Sequence, residues 1–116
     1  MRTILTLLAV TLVATAATAP NSLGAQAAQT VRVTETDYRI TLSTRPKPGT
    51  VTFVIRNNSG HSHDFRLRGN GITRKTPLIA PGKTARLIVQ LRRGERYQLW
   101  CAPHEDKGMR ATFVAR

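Results

Sequence analysis

The chain predicts an all-β fold: an antiparallel, Greek-key β-sandwich or barrel of about seven or eight short strands. Three observations carry that expectation. Apolar residues recur with period two from Val31 onward, which buries one face of a strand and exposes the other. Clusters of Gly, Pro, Asn and Ser interrupt the pattern at short intervals, as turns do. No segment beyond Val31 repeats its apolar residues at the spacing of an amphipathic helix. At 116 residues one domain is expected, and its core is feasible without disulfides.

Taken in order, residues 1–27 read as a secretory signal peptide. Arg2 is a minimal positive start, residues 4–13 an apolar run, and Ala25-Gln26-Ala27 a small-x-small site with cleavage expected after Ala27. The apolar run is shorter than the roughly 20 residues a membrane span needs. An uncleaved anchor is the competing reading, because no charge separates Arg2 from Arg32. No cysteine lies near the cleavage region and no twin-arginine pair precedes the apolar run, so general export to a periplasmic or extracellular location is expected. The mature domain is then 28–116.

Val31 and Val33 alternate with Arg32 and Thr34; Tyr38, Ile40 and Leu42 alternate with Arg39 and Thr41. Arg45-Pro46-Lys47-Pro48-Gly49 is a turn, with prolines and a glycine to set its dihedrals. Residues 50–57 are the clearest strand: Val51, Phe53 and Ile55 point one way, Thr52, Val54 and Arg56 the other. Asn58-Ser59-Gly60 ends it. Residues 64–68 form a short strand with Phe65 and Leu67 inward, followed by the turn Gly69-Asn70-Gly71. Residues 72–83 look irregular and close on Ala80-Pro81-Gly82. Residues 84–91 alternate again with Ala85, Leu87, Val89 and Leu91 inward, and Arg92-Arg93-Gly94-Glu95 turns the chain. Residues 96–101 and 111–115 are the last two strands.

The loop between those strands holds the chemistry. It carries the single cysteine, Cys101, with His104 and Met109 in a Cys-x2-His-x4-Met spacing. An unpaired thiol in an exported protein needs a purpose, and ligation supplies one. Thiolate, imidazole and thioether together suit copper, which accepts sulfur and nitrogen donors in both oxidation states. Zinc could use two histidines and a cysteine but gives the methionine no role. A fourth donor must come from His61 or His63, just beyond the strand 50–57. Period two favours His63, which shares the side of Phe65 and Leu67; His61 sits in a turn where parity means little.

These residues resemble the cupredoxins of the plastocyanin, pseudoazurin and amicyanin type. The resemblance runs from about Val31 to Arg116 and is strongest in Trp100-Cys101-Ala102-Pro103-His104-Glu105-Asp106-Lys107-Gly108-Met109. Asn57 through Phe65 is similar to the family's Asn-to-His segment, whose ligand precedes an Asn or Asp and an apolar residue, here His63 before Asp64 and Phe65. The Pro81-Gly82-Lys83-Thr84 turn matches as well. The resemblance implies one type 1 copper held by His63, Cys101 and His104 with Met109 as a weak axial ligand. It implies that Asp64 tethers the ligand segments and that His104 is the exposed electron port. Arg110 departs from the family's small or apolar residue there, and Glu105-Asp106-Lys107 makes the loop more charged than usual.

Function follows as one-electron transport by Cu(II)/Cu(I) cycling, with copper storage, delivery or sensing as the alternative. No acid–base or nucleophile set beyond these residues is visible in the sequence, so an enzyme is not expected. Eighteen Lys and Arg oppose six Asp and Glu, giving +12, or +11 without Arg2. That balance favours anionic partners: an acidic redox partner protein, or peripheral contact with an anionic membrane, for a monomeric carrier. Nucleic acid is not expected, because the basic residues are scattered in runs no longer than two.

Overall fold

A computed structural model describes residues 9–15 and 28–116. Most of the expected signal, residues 1–8 and 16–27, lies outside the described residues, and residues 9–15 carry no regular secondary structure. The strands are β1 (Gln29–Thr36), β2 (Arg39–Leu42), β3 (Gly49–Asn57), β4 (Arg66–Gly69), β5 (Ile72–Lys75), β6 (Thr84–Leu91), β7 (Arg96–Trp100) and β8 (Arg110–Val114). They form two four-stranded sheets, ordered β2-β1-β3-β6 and β5-β4-β7-β8. The expected all-β sandwich is therefore the architecture.

The alternation read from the sequence decides which residues meet between the sheets. Val31, Val33, Val51, Phe53 and Ile55 from the first sheet are fully or almost fully buried. They face Leu67, Tyr97 and Leu99 from the second, and Phe65 just ahead of β4, which are equally buried. Each such side chain contributes about 1.5–3 kcal/mol on leaving water. The Phe53 ring packs 5.5 Å from Phe65 and 6.3 Å from Phe113, joining the layers at their middle. Tyr97 buries its ring against Phe113 and its hydroxyl accepts the Arg92 backbone N–H at 2.8 Å, as a buried phenol requires.

Three local expectations need correction. The sheet is not wholly antiparallel: β1 pairs with β3 in parallel, Val31 opposite Phe53 and Val33 opposite Ile55. The chain reverses between β1 and β2 and again between β2 and β3, so β3 returns in the direction of β1, on its far side. The strand expected over 64–68 is shifted to Arg66–Gly69, because Asp64 and Phe65 spend their backbone elsewhere; the Phe65 N–H donates to Thr76 Oγ1 at 3.0 Å. The region 72–83 is not irregular throughout, since Ile72–Lys75 pairs with β4 as a hairpin. Its turn is Asn70-Gly71, both with positive φ (49° and 73°), the signature of a two-residue hairpin.

Gly69 marks a close approach of chain segments. A Cβ there would sit 2.6 Å from the Arg96 carbonyl oxygen and 2.6 Å from Tyr97 Cδ1. Neither neighbour can yield, one being strand backbone and the other a fully buried ring. Gly69→Ala is expected to destabilise the protein by about 1–3 kcal/mol, as overpacking does, read as a lower urea midpoint. An unchanged midpoint would mean that β4 and β7 are less tightly apposed than described.

Candidate metal centre

The site is built at one end of the sandwich, by the segment after β3 and the loop between β7 and β8. Asn57, the last residue of β3, is completely buried and organises the first of these. Its Nδ2 donates to the His61 carbonyl at 2.7 Å and the Ile79 carbonyl at 2.8 Å, and its Oδ1 accepts from the Ser59 N–H and hydroxyl. His63 then exchanges two backbone hydrogen bonds with Ile79, at 3.1 and 2.6 Å. One buried amide thus sets the path of the chain into His63. Asn57→Ala strands several of these groups and is expected to cost about 2–3 kcal/mol; a thermal scan checks it, and a loss well below 1 kcal/mol would contradict the role.

The second segment starts where β7 ends. Cys101, the next residue, is fully buried. A short 3-10 helix, Ala102–Lys107, follows, with Pro103 in its first turn; proline suits a helix start because its missing N–H has no partner there anyway. The loop closes on itself through backbone bonds: His104 N–H to Cys101 O at 3.2 Å, Cys101 N–H to Met109 O at 3.1 Å and Met109 N–H to His104 O at 3.3 Å. Cys, His and Met are therefore stitched together without their side chains. Asp64 joins the two segments: its Oδ1 accepts the Ala102 N–H at 2.8 Å, and its Oδ2 accepts Arg66 Nε at 2.8 Å.

This scaffold brings three sequence-predicted residues into one group. Cys101 Sγ lies 3.6 Å from His63 Nδ1 and 3.6 Å from His104 Nδ1. The three donor atoms all fall within 4.8 Å of one another. Met109 is fully buried beside them in the chain fold, bonded through its backbone to both Cys101 and His104. His61 stays outside the group; its side chain is exposed and its Nδ1 pairs with Asp37 at 3.1 Å. His63 and Cys101 are buried while His104 is half-buried, its ring 5.2 Å from Tyr38 and 4.7 Å from His63.

Residues that the sequence did not single out fix His63. Its Nε2 faces Ser59 Oγ at 2.8 Å and Asp37 Oδ1 at 3.1 Å. A carboxylate on one ring nitrogen orients the ring and leaves the other nitrogen bare toward a metal. Burial holds the His63 pKa below the ordinary imidazole value, against the pull of Asp37, which keeps that lone pair free. Desolvation works to raise the Asp37 pKa, but its hydrogen bonds and charge interactions with His61 and His63 leave it lowered. Nothing in the sequence pattern pointed to Asp37, which is 26 positions from His63 and meets it only through the fold.

The donors fit copper. One sulfur and two imidazole nitrogens form the group and no carboxylate belongs to it, a soft set. Burial pushes the Cys101 thiol up to about 11, so the site stays protonated until a metal displaces the proton.

A family model described as copper binding proteins, plastocyanin/azurin family, matches residues 19–115. No curated protein matches the chain. Among solved structures, auracyanin B is similar with a TM-score of 0.64 and 15% identity, over 76% of this chain and 88% of that one. A dithionite-reduced auracyanin from the photosynthetic bacterium Roseiflexus castenholzii is similar with a TM-score of 0.57 and 14% identity, over 80% of this chain and 99% of that one. At these identities the structures speak for the fold alone.

Proposed function

The chain belongs to the plastocyanin/azurin family of copper-binding proteins, and on that premise we propose that it is an exported one-electron carrier whose single copper is held by His63, Cys101, His104 and Met109. The observation that carries this is the donor group itself: two imidazole nitrogens, each 3.6 Å from one thiol sulfur, on segments held in place by backbone and side-chain hydrogen bonds. Copper on such donors supplies a one-electron couple.

The chain's residues divide the remaining work. Cys101 gives up its proton and offers a thiolate. His63 is held in one tautomer by Asp37 and Ser59. His104, half-buried at the rim, offers a ring edge toward solvent through which an electron can leave. Met109, fully buried, would add a weak thioether. The backbone bonds among residues 101–109 and the Asp64 tether resist rearrangement between oxidation states, which favours fast exchange over release.

Among the described residues, His63, Cys101 and His104 are the one group of such donors close enough to share an ion, which supports a carrier over a multi-site oxidase. No helix among the described residues is long and apolar enough to cross a membrane. The test is repeated reduction and reoxidation of the copper-loaded protein in the presence of a Cu(I)-specific chelator. Full recovery of the visible spectrum after each cycle is expected. Transfer of the copper to the chelator on first reduction would replace the carrier with storage or delivery.

A further inference from the structure

The rim around His104 is not where the positive charge sits. Asp37, Glu105 and Asp106 lie there in exposed positions with Lys107 as the loop's one cation. The outer face of the second sheet is different. Strand register places Lys75, Arg66, Trp100 and Arg110 in one row across β5, β4, β7 and β8. Arg68 and Gln98 stand in the next row, and Arg96 beyond them on the same face of β7. Of these cations only Arg66 is in an ion pair among the described residues, with Asp64. The Arg68 guanidinium lies over the Trp100 ring at 4.9 Å, and its Nε donates to Gln98 Oε1 at 2.6 Å. A shallow cleft of about 290 Å³ opens between Arg68, Trp100 and Arg110, with Glu105 as the one carboxylate in its lining. Trp100 is the residue before Cys101, half-buried, with one side in this cleft.

We propose that this arginine-rich face, centred on Trp100, docks the acidic surface of the protein with which the carrier exchanges its electron. The inference rests on the carrier reading above and names the surface and partner for it. One electron passes between the two proteins, one being oxidised as the other is reduced, and no proton or atom changes hands. Charge complementarity sets the occupant. An acidic protein is drawn to the unpaired arginines, which outnumber Glu105 on this face, and is repelled by the rim at Asp37 and Asp106. Arginine suits the task because its planar group meets carboxylates in pairs. The half-buried indole gives the flat aromatic centre that interface anchors use, one residue from the thiol that holds the copper.

Stopped-flow reduction of the copper-loaded protein by reduced plant-type ferredoxin, an acidic one-electron protein, tests this. Arg68→Glu with Arg96→Glu is expected to slow the reaction at least 10-fold at low ionic strength, and the difference should vanish in high salt. Arg32→Glu with Arg86→Glu, on the outer face of the other sheet, makes the same change in net charge and should slow it less than threefold. Reduction by ascorbate should be the same in all three proteins; a wild-type protein that ascorbate cannot reduce would refute the carrier reading rather than the docking face. Equal slowing by both pairs would overturn the proposal in favour of net charge alone. An unchanged ferredoxin rate, with binding to phosphatidylserine vesicles lost in the first pair, would reassign the face to a membrane.

Discussion

Cys101→Ser is expected to remove the intense visible thiolate-to-copper absorption and to lower copper affinity by at least about 100-fold, the upper end of what changes outside the ligand shell cost. The effect is large because no second anionic sulfur exists; the only other sulfur atoms belong to Met1 and Met109. Serine keeps the volume and a polar atom near both imidazoles, so the fold should survive. Titration of both proteins with Cu(II), followed by absorbance and calorimetry, reads the result. Burial pushes the Cys101 thiol up to about 11, so loading the wild-type protein at neutral pH must release the thiol proton. Its apparent affinity should then rise about tenfold per pH unit below that value. The serine variant should show neither the proton nor that slope. An intense band that persists in Cys101→Ser would refute the site.

Glu35→Gln is expected to make the metal-free protein much more stable at alkaline pH and to leave it almost unchanged in acid. Glu35 points into the sandwich from β1, is completely buried, and neither of its carboxyl oxygens has a hydrogen-bond partner among the described residues. Burial, assisted by the negative charge of Asp64, raises its pKa from the ordinary 4.5 to about 8. The folded protein therefore holds a proton that the unfolded chain releases once pH passes its ordinary value. Stability is full below that value, falls as pH rises through the window between the two, and is lost above about 8. The loss is on the order of 5 kcal/mol. Glutamine carries no charge at any pH, so its variant should show no slope in that window. Urea unfolding of both proteins at pH 5 and pH 9 checks this, and parallel pH curves would mean that Glu35 finds a partner for its charge.

The loop of candidate donors was more legible than the wiring of the strands around it. The strands over 50–57 and 84–91 could be read because their apolar residues alternate without interruption, and Gly49–Asn57 and Thr84–Leu91 are strands. The β5 strand was missed because Ile72–Lys75 has one apolar residue, half-buried at an edge; the Asn70-Gly71 pair ahead of it was the signal that could have found it. Parallel pairing of β1 and β3 depends on which side of β1 the returning chain lies, and side-chain alternation is blind to that. Cys101, His104 and Met109 were readable because one short loop carries all three. His63 rested on strand parity, but β4 begins only at Arg66; His63 is positioned instead by its own bridge to Ile79. Asp37 and Glu35 escaped notice because each looks like an ordinary polar residue in an alternating strand or turn. Only the fold turns one toward His63 and buries the other.

X-ray absorption at the copper edge, recorded on the oxidised and the reduced protein, tests the account where it is most exposed. One short sulfur and two imidazole nitrogens should dominate the shell in both states, with little change in distance between them. That is the outcome required if His63, Cys101 and His104 hold the metal in a frame set by Asn57, Asp64 and the closed 101–109 loop. A shell that loses its sulfur, gains a third imidazole from His61, or rearranges on reduction would contradict it.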